Sequence, residues 1–323
     1  MQRRRLFRLA AGAGVATLSG PLFAQAGAQP MRIVIGFAPG GSADAVARLL
    51  AEQLKDALGR PVVVENKTGA SGRLAVEAVK AAPPDGDTLL MAPHGPMTLF
   101  PHIYKSLRFD PSKDFTPVTR LTVSDYVFTV SAQNPARDLG TFRDWAKARS
   151  DAVGFGSPGV GTIPHFLGMQ IARGLGIRLA HVPYRGAAPS LVDLMGDTIA
   201  AVISPITDPL EMHKAGKVRI LATTGATPTH LLNGVPTAKE AGVDLDITAW
   251  YGLYAPAGLS TAQLQKLHAA TNAAWQTAPV LERLGRMGLT PAITSSAELA
   301  ALQRRESGTW AQAVKASGFT PED

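Results

Sequence analysis

Apolar residues along this chain alternate between short runs of branched side chains and longer amphipathic stretches at helical spacing. Residues 31–37 form the first apolar run and predict a strand. Residues 42–58 follow as a helix, because Val46, Leu49, Leu50, Leu54 and Leu58 recur every three or four positions on one face. A strand at 61–65, a helix at 71–81 and a strand at 88–92 continue the series, with Pro83-Pro84-Asp85-Gly86 as the turn before the last strand. A second series has strands at 153–157, 179–184, 199–204 and 218–223, with helices at 162–174 and 187–195. Alternation of this kind is the pattern of parallel α/β units.

Two segments break the rhythm. Residues 115–132 form an extended run too long for an ordinary strand, and residues 247–254 form a second. Each reads as a crossing between domains, and three helices, from Thr261, Pro279 and Ala297, lie beyond the second. The expectation is therefore two α/β domains joined by two extended crossings. The first is discontinuous, 29–125 plus 250–323, and the second spans 126–249. Paired crossings suit a cleft that opens and closes while each domain stays rigid.

The first 28 residues stand apart. Arg3, Arg4, Arg5 and Arg8 precede an uncharged, small and apolar run at 9–24, which predicts a secretory signal removed near Ala26 to Ala28. Arg4-Arg5-Leu6-Phe7 leaves folded, twin-arginine export and ordinary Sec export both open. Four of the 32 basic residues and none of the 25 acidic ones lie here, so the mature chain carries +3 rather than +7. That excess, without clustered Lys and Arg, gives no support to nucleic-acid binding. The chain has no cysteine, which excludes disulfides, thiolate metal sites and lipid attachment. A free, soluble, monomeric periplasmic protein is expected. His102, His181, His213, His230 and His268 show no metal-ligand spacing, and neither a metal nor another cofactor is expected.

The strongest local signal is Phe37-Ala38-Pro39-Gly40-Gly41-Ser42-Ala43-Asp44, a strand leading through two glycines into a helix. Glycines let backbone N–H groups approach a ligand closely, and the helix N-terminus adds about half a positive charge, so an anion fits there. Ser42 as an N-cap and Asp44 as a first-turn acid facing the dipole are the structural reading of the same residues. A comparable turn, Gly154-Phe155-Gly156-Ser157-Pro158-Gly159, contains G-x-G-x-x-G. No acid lies between Asp151 and Asp193 to hold a ribose, which rules out a dinucleotide site. Phe155 stands where a nucleophile elbow requires glycine. No acid lies between Asp87 and Asp110 either, around His94-Gly95-Pro96-Met97-Thr98. Two lips without carboxylates favour an anionic ligand. Of the four tryptophans, Trp250 in the return crossing is the candidate cleft wall.

Many motifs, in one order, carry a family resemblance. They include Phe37-Ala38-Pro39-Gly40-Gly41 with Asp44 and Arg48, Val64-Glu65-Asn66 with Gly69-Ala70-Ser71-Gly72, and Pro84-Asp85-Gly86-Asp87. Phe109-Asp110-Pro111, His181-Val182-Pro183-Tyr184-Arg185-Gly186 and Ala255-Pro256-Ala257-Gly258 follow. Over essentially the whole mature length the chain resembles the tripartite tricarboxylate transporter substrate-binding proteins, the Bug-type periplasmic receptors. The resemblance implies a periplasmic-binding-protein-like, type II Venus-flytrap fold with a carboxylate held between two lips. It assigns Phe37, Gly40, Gly41, Ser42, His94 and Thr98 to one lip. Ser157, Thr162 and His165 belong to the other. Gly41 and Ser42 are expected to donate backbone N–H groups, and Phe37 to wall the pocket.

Where many relatives carry an acid after a strand of the second domain, this chain has Ser204, which argues against an amino-acid ligand. The bulkier His94 loop leaves an aromatic carboxylate and a small di- or tricarboxylate both open. Delivery to a membrane transporter is the expected role. Docking of the loaded protein on a sensor kinase needs the same closure. A serine hydrolase built on Ser157 and His165 is the third reading, and that segment lacks an acid to orient the histidine.

Overall fold

A computed structural model describes residues 29–317 and 319, so the expected signal segment lies outside the described residues. The first α/β series forms as its periodicity predicts. Strand β1 (Met31–Ile35) lies between β2 (Val62–Asn66) and β3 (Thr88–Pro93), parallel to both. Helix α1 (Ser42–Leu58) buries Val46, Leu49, Leu50 and Leu54 against this sheet and stops at Gly59, whose left-handed φ of 62° ends the helix without strain. Helix α2 (Arg73–Lys80) covers the other side through Ala75, Val76 and Val79.

After β3 the chain enters two short helices, α3 (His94–Thr98) and α4 (Phe100–Ile103), where the sequence suggested only a loop. Pro96 is tolerated in α3 because a first-turn N–H has no helical partner to lose. The long extended run is a single 17-residue strand, β4 (Phe115–Ser131), and it changes partners part-way. Phe115 to Asp125 pair antiparallel with β9 (Thr248–Pro256), and Thr122 and Val123 also meet the short β10 (Thr290–Pro291). From Tyr126 onward the same strand pairs with β7 (Ala201–Pro205) and β8 (Val218–Thr223). One strand thus belongs to two sheets, with the switch between Asp125 and Tyr126.

The second sheet is completed by β5 (Val153–Ser157) between β6 (Leu179–Pro183) and β7, parallel to both. Its helices are α5 (Leu139–Lys147), α6 (Ile163–Leu175), α7 (Ala187–Met195) and α8 (Leu210–Lys214). The chain returns to the first sheet through β9, then runs through α9 (Thr261–Trp275), α10 (Ala278–Arg286) and α11 (Ser296–Ser317). Helix α11 packs across β4 and α3. The overall strand order, β2-β1-β3-β9-β4-β7-β5-β6, runs through β4 without interruption. These are the two α/β domains joined by two extended crossings that the alternating pattern and its interruptions predicted, in the flytrap arrangement that the resemblance implied.

Candidate functional site

Four helices begin at one place between the two sheets. The first turns of α1 (Gly41, Ser42, Ala43), α3 (Gly95, Pro96), α6 (Thr162, Ile163, Pro164) and α7 (Gly186, Ala187) line a cavity with about 570 Å3 of empty space, its mouth included. Phe37, Ala38, Pro93, Pro158, Pro205, Tyr126 and Tyr251 complete a largely apolar wall. Helix dipoles at the starts of α1, α6 and α7, where first-turn N–H groups have no partner within the helix, make this region favourable for negative charge. Gly186, the residue before α7, has φ +131°, and a side chain there would meet the Ala38 amide at 3.3 Å. Only glycine brings the two lobes this close, and the Ala38 N–H donates across to Arg185 O at 2.9 Å.

Among the described residues one charged side chain lines the cavity, and it is an acid. Asp208, in the connection between β7 and α8, accepts the Ser42 N–H at 2.6 Å through Oδ1. Its Oδ2 is out of contact with solvent and has no hydrogen-bond partner among the described residues. Burial pushes the carboxyl up to about 6, moderated by the Ser42 N–H and the nearby hydroxyls of Ser42 and Ser204. The two acid-free segments do form lips. The carboxylate enters from a third segment that neither window covered.

The chain from residue 46 to 319 matches the family model described as tripartite tricarboxylate transporter family receptor. The chain belongs to this receptor family. It is 33% identical over 308 residues to a Cupriavidus necator protein known as the UPF0065 protein in gbd 5'region, covering 93% of each chain. It is 30% identical over 293 residues to Protein BugT of Bordetella pertussis, covering 90% of each. Among solved structures, MatC from Rhodopseudomonas palustris with bound malate superposes with a TM-score of 0.83 at 30% identity, covering 88% of this chain and 98% of that one. An R. palustris protein solved with adipate gives a TM-score of 0.87 at 26% identity, covering 91% and 99%.

In this receptor, Phe37, Gly41, Ser42 and Thr162 lie on the cavity wall. Ser42 is the first helical residue rather than the N-cap: Gly41 holds that place, and the Ser42 hydroxyl pairs with the Tyr251 hydroxyl at 2.7 Å. Gly40 lies behind the wall, its N–H donated to Asp44. Asp44 also takes two bonds from Arg48 and one from Asn66. Burial raises the Asp44 carboxyl, but these bonds outweigh it and hold the group below its usual range. Asp44 therefore fastens the Gly-Gly turn from behind, as the structural reading expected.

His94, Thr98, Ser157, His165 and Ser204 do not line the receptor's cavity but stand just outside it. Thr98 closes α3 by donating to His94 O at 2.9 Å. His94 is 2% exposed and reaches Glu306 of α11 through Nδ1 at 3.1 Å and the Tyr126 hydroxyl through Nε2 at 2.9 Å. A carboxylate can only accept, so in the neutral ring Nδ1 carries the proton and Tyr126 donates to Nε2. Trp250, expected as a cleft wall, instead stacks on His94 and donates to Glu306 at 2.9 Å.

The second lip of the receptor is braced similarly. The Ser157 hydroxyl donates to Gly159 O at 3.0 Å and meets His181 Nε2, not His165, at 2.7 Å. His165 accepts the Gly161 N–H and stacks on His181 with ring centroids 3.8 Å apart. Burial lowers His165 to about 4; burial and then the neighbouring His165 lower His181 to about 3. Both rings are neutral at ordinary pH, which lets them stack. Ser204 is fully buried at the end of β7, with its hydroxyl on Pro205 O. Tyr126, Tyr251, Gly186, Ala187 and Asp208 escaped the sequence reading. Of these, Gly186 before a predicted helix was the one visible signal.

Proposed function

We propose that this receptor is an exported solute-binding protein that captures a small carboxylate between its lobes and delivers it, as a soluble monomer in the periplasm, to a tripartite tricarboxylate-type transporter. The observation that carries the reading is the convergence of the α1, α6 and α7 N-termini on one apolar cavity. Binding of malate and of adipate by two structural relatives supports the carboxylate class. The lobes correspond to 29–125 with 250–323, and to 126–249; the partner switch at Asp125 and Tyr126 in β4 supports that division. The ten residues expected at the site divide into wall (Phe37, Gly41, Ser42, Thr162) and support (Gly40, His94, Thr98, Ser157, His165, Ser204). A role without catalysis is favoured because His181, the ring that Ser157 meets, stacks on a second histidine rather than on an orienting acid. Among the described residues no carboxylate hydrogen-bonds to His165 or His181.

The test is a thermal-shift screen of mono-, di-, tri- and aminocarboxylates against amines and neutral sugars. A bound ligand at 100 times its dissociation constant adds about 2.7 kcal/mol of stability. Stabilisation by sugars or amines alone, with every carboxylate inert, overturns the reading.

A further inference from the structure

Asp208 is at odds with a site built purely for anions. Its Oδ1 holds the Ser42 N–H at 2.6 Å, so the protein's own carboxylate already occupies the donor that α1 would offer a ligand. Its Oδ2 is buried without a partner, and an unsatisfied acceptor of this kind is costly unless a donor meets it. No Lys or Arg side chain lines the cavity among the described residues. The nearest polar side chains are hydroxyls: Tyr126 directs its proton to His94, Tyr251 pairs with Ser42, and the Ser42 and Ser204 hydroxyls lie near enough to lower the carboxyl but leave Oδ2 without a hydrogen-bond partner among the described residues.

We propose that Asp208 sets the charge of the ligand, selecting a carboxylate whose other end carries an ammonium group and turning away a second carboxylate. The inference rests on the carboxylate reading above and adds to it. The free N–H groups at α6 and α7 take the ligand carboxylate, while Asp208 Oδ2 and the faces of Tyr126 and Tyr251 take the ammonium. A second carboxylate would instead lie against an ionised Asp208 in a low-dielectric cavity, where like charges repel strongly. Ser204 by itself pointed the other way. An acid four residues later restores the negative charge that Ser204 lacks.

The test compares matched probes at pH 8, where Asp208 is ionised. Butyrate, 4-aminobutyrate, 4-hydroxybutyrate and succinate, with their longer homologues, and a set of α-amino acids are titrated calorimetrically into the wild-type protein and into Asp208→Asn. Asn keeps an acceptor for the Ser42 N–H, and Asp208→Ser serves as a second variant. In the wild type an aminocarboxylate should bind at least about tenfold tighter than its dicarboxylate match, and both variants should reverse that order. Equal reversal is not required of every homologue, because cavity length selects among them. A wild-type preference for dicarboxylates, a preference for the hydroxy analogues, or an unchanged order in both variants overturns the inference and leaves the carboxylate reading standing. If no carboxylate of any kind binds either protein, both readings fall together.

Discussion

Removing the Glu306 carboxylate should unfold the receptor more readily, although Glu306 lies on the last helix and outside the cavity. Glu306 accepts from Trp250 Nε1 at 2.9 and 3.1 Å and from His94 at 3.1 Å. In Glu306→Ala both donors lose their partner, and each lost charge-assisted bond costs about 1.5–3 kcal/mol. The Glu306 side chain is 27% exposed, so water can replace part of the loss and the lower end applies, about 3 kcal/mol in total. Unfolding entropy near 2.1 cal/mol/K per residue turns that into a melting shift of roughly 5 °C for a chain of this size. Urea titration followed by tryptophan fluorescence measures it directly. Glu306→Gln separates charge from bonding. Its amide oxygen can accept from Trp250 while its NH2 donates to His94 Nδ1, provided the imidazole proton moves to Nε2. Gln should therefore restore more than half the stability, and it turns the Tyr126 hydroxyl from donor to acceptor toward His94. A loss below about 1 kcal/mol in Glu306→Ala, or a Gln variant as unstable as the Ala variant, refutes the network.

Two further outcomes test the packing and the electrostatics. Burial, and then Asp246, raise Asp125 at the strand switch to about 6 from an unfolded value of 3.8. The native state therefore binds the extra proton between these values, and this contribution is fully present below pH 4 and lost as pH rises through 6. Asp125→Asn should show a flatter stability profile between about pH 4 and 6 and gain about 1–2 kcal/mol at pH 7 after allowance for partial exposure. A profile parallel to the wild type excludes Asp125 as the cause. Two helical glycines should answer alanine oppositely: at Gly168 a Cβ runs into the Phe155 ring, whereas at Gly308 nothing stands within 4 Å. Gly168→Ala should lose about 1–3 kcal/mol despite its better helix propensity, and Gly308→Ala should gain up to about 1 kcal/mol, both read from denaturant midpoints.

Periodicity made most of the fold legible, and the exceptions have local causes. Helix α1 and strand β4 emerge where the apolar spacing placed them, because each presents a long, unambiguous face to a core. Helix α5 was missed although Leu139, Phe142 and Ala146 share its buried side. Its capping box uses Thr141 in place of the usual Glu or Gln, and nine residues give few turns to count. Helix α3 was hidden by Gly95 and Pro96, both poor helix formers that are harmless in a first turn. The site was half legible. Turn chemistry marks Gly41 and Ser42, but nothing near Thr207-Asp208-Pro209 distinguishes it from a surface turn. Asp208 reaches Ser42 only because β7 pairs with the far half of β4, a relation between residues 166 positions apart.

That pairing also ties recognition to closure. The Ser42 N–H belongs to the α1 lobe and Asp208 to the other, and Ala38 bonds Arg185 across the same gap. Groups that line the cavity therefore also join the lobes, alongside contacts outside it such as the Tyr104 hydroxyl on Val160 O at 3.3 Å. Asp208 and the α6 and α7 N-termini all lie on one lobe, so a ligand held there engages the other through Tyr251 and through the Ser42 N–H that Asp208 keeps. A ligand that drives Asp208 away from Ser42 removes one of the bonds that bring the lobes together. Selection at Asp208, as proposed, would thus act on closure as well as on affinity, because a ligand that fits the acid leaves its bond to the Ser42 N–H in place.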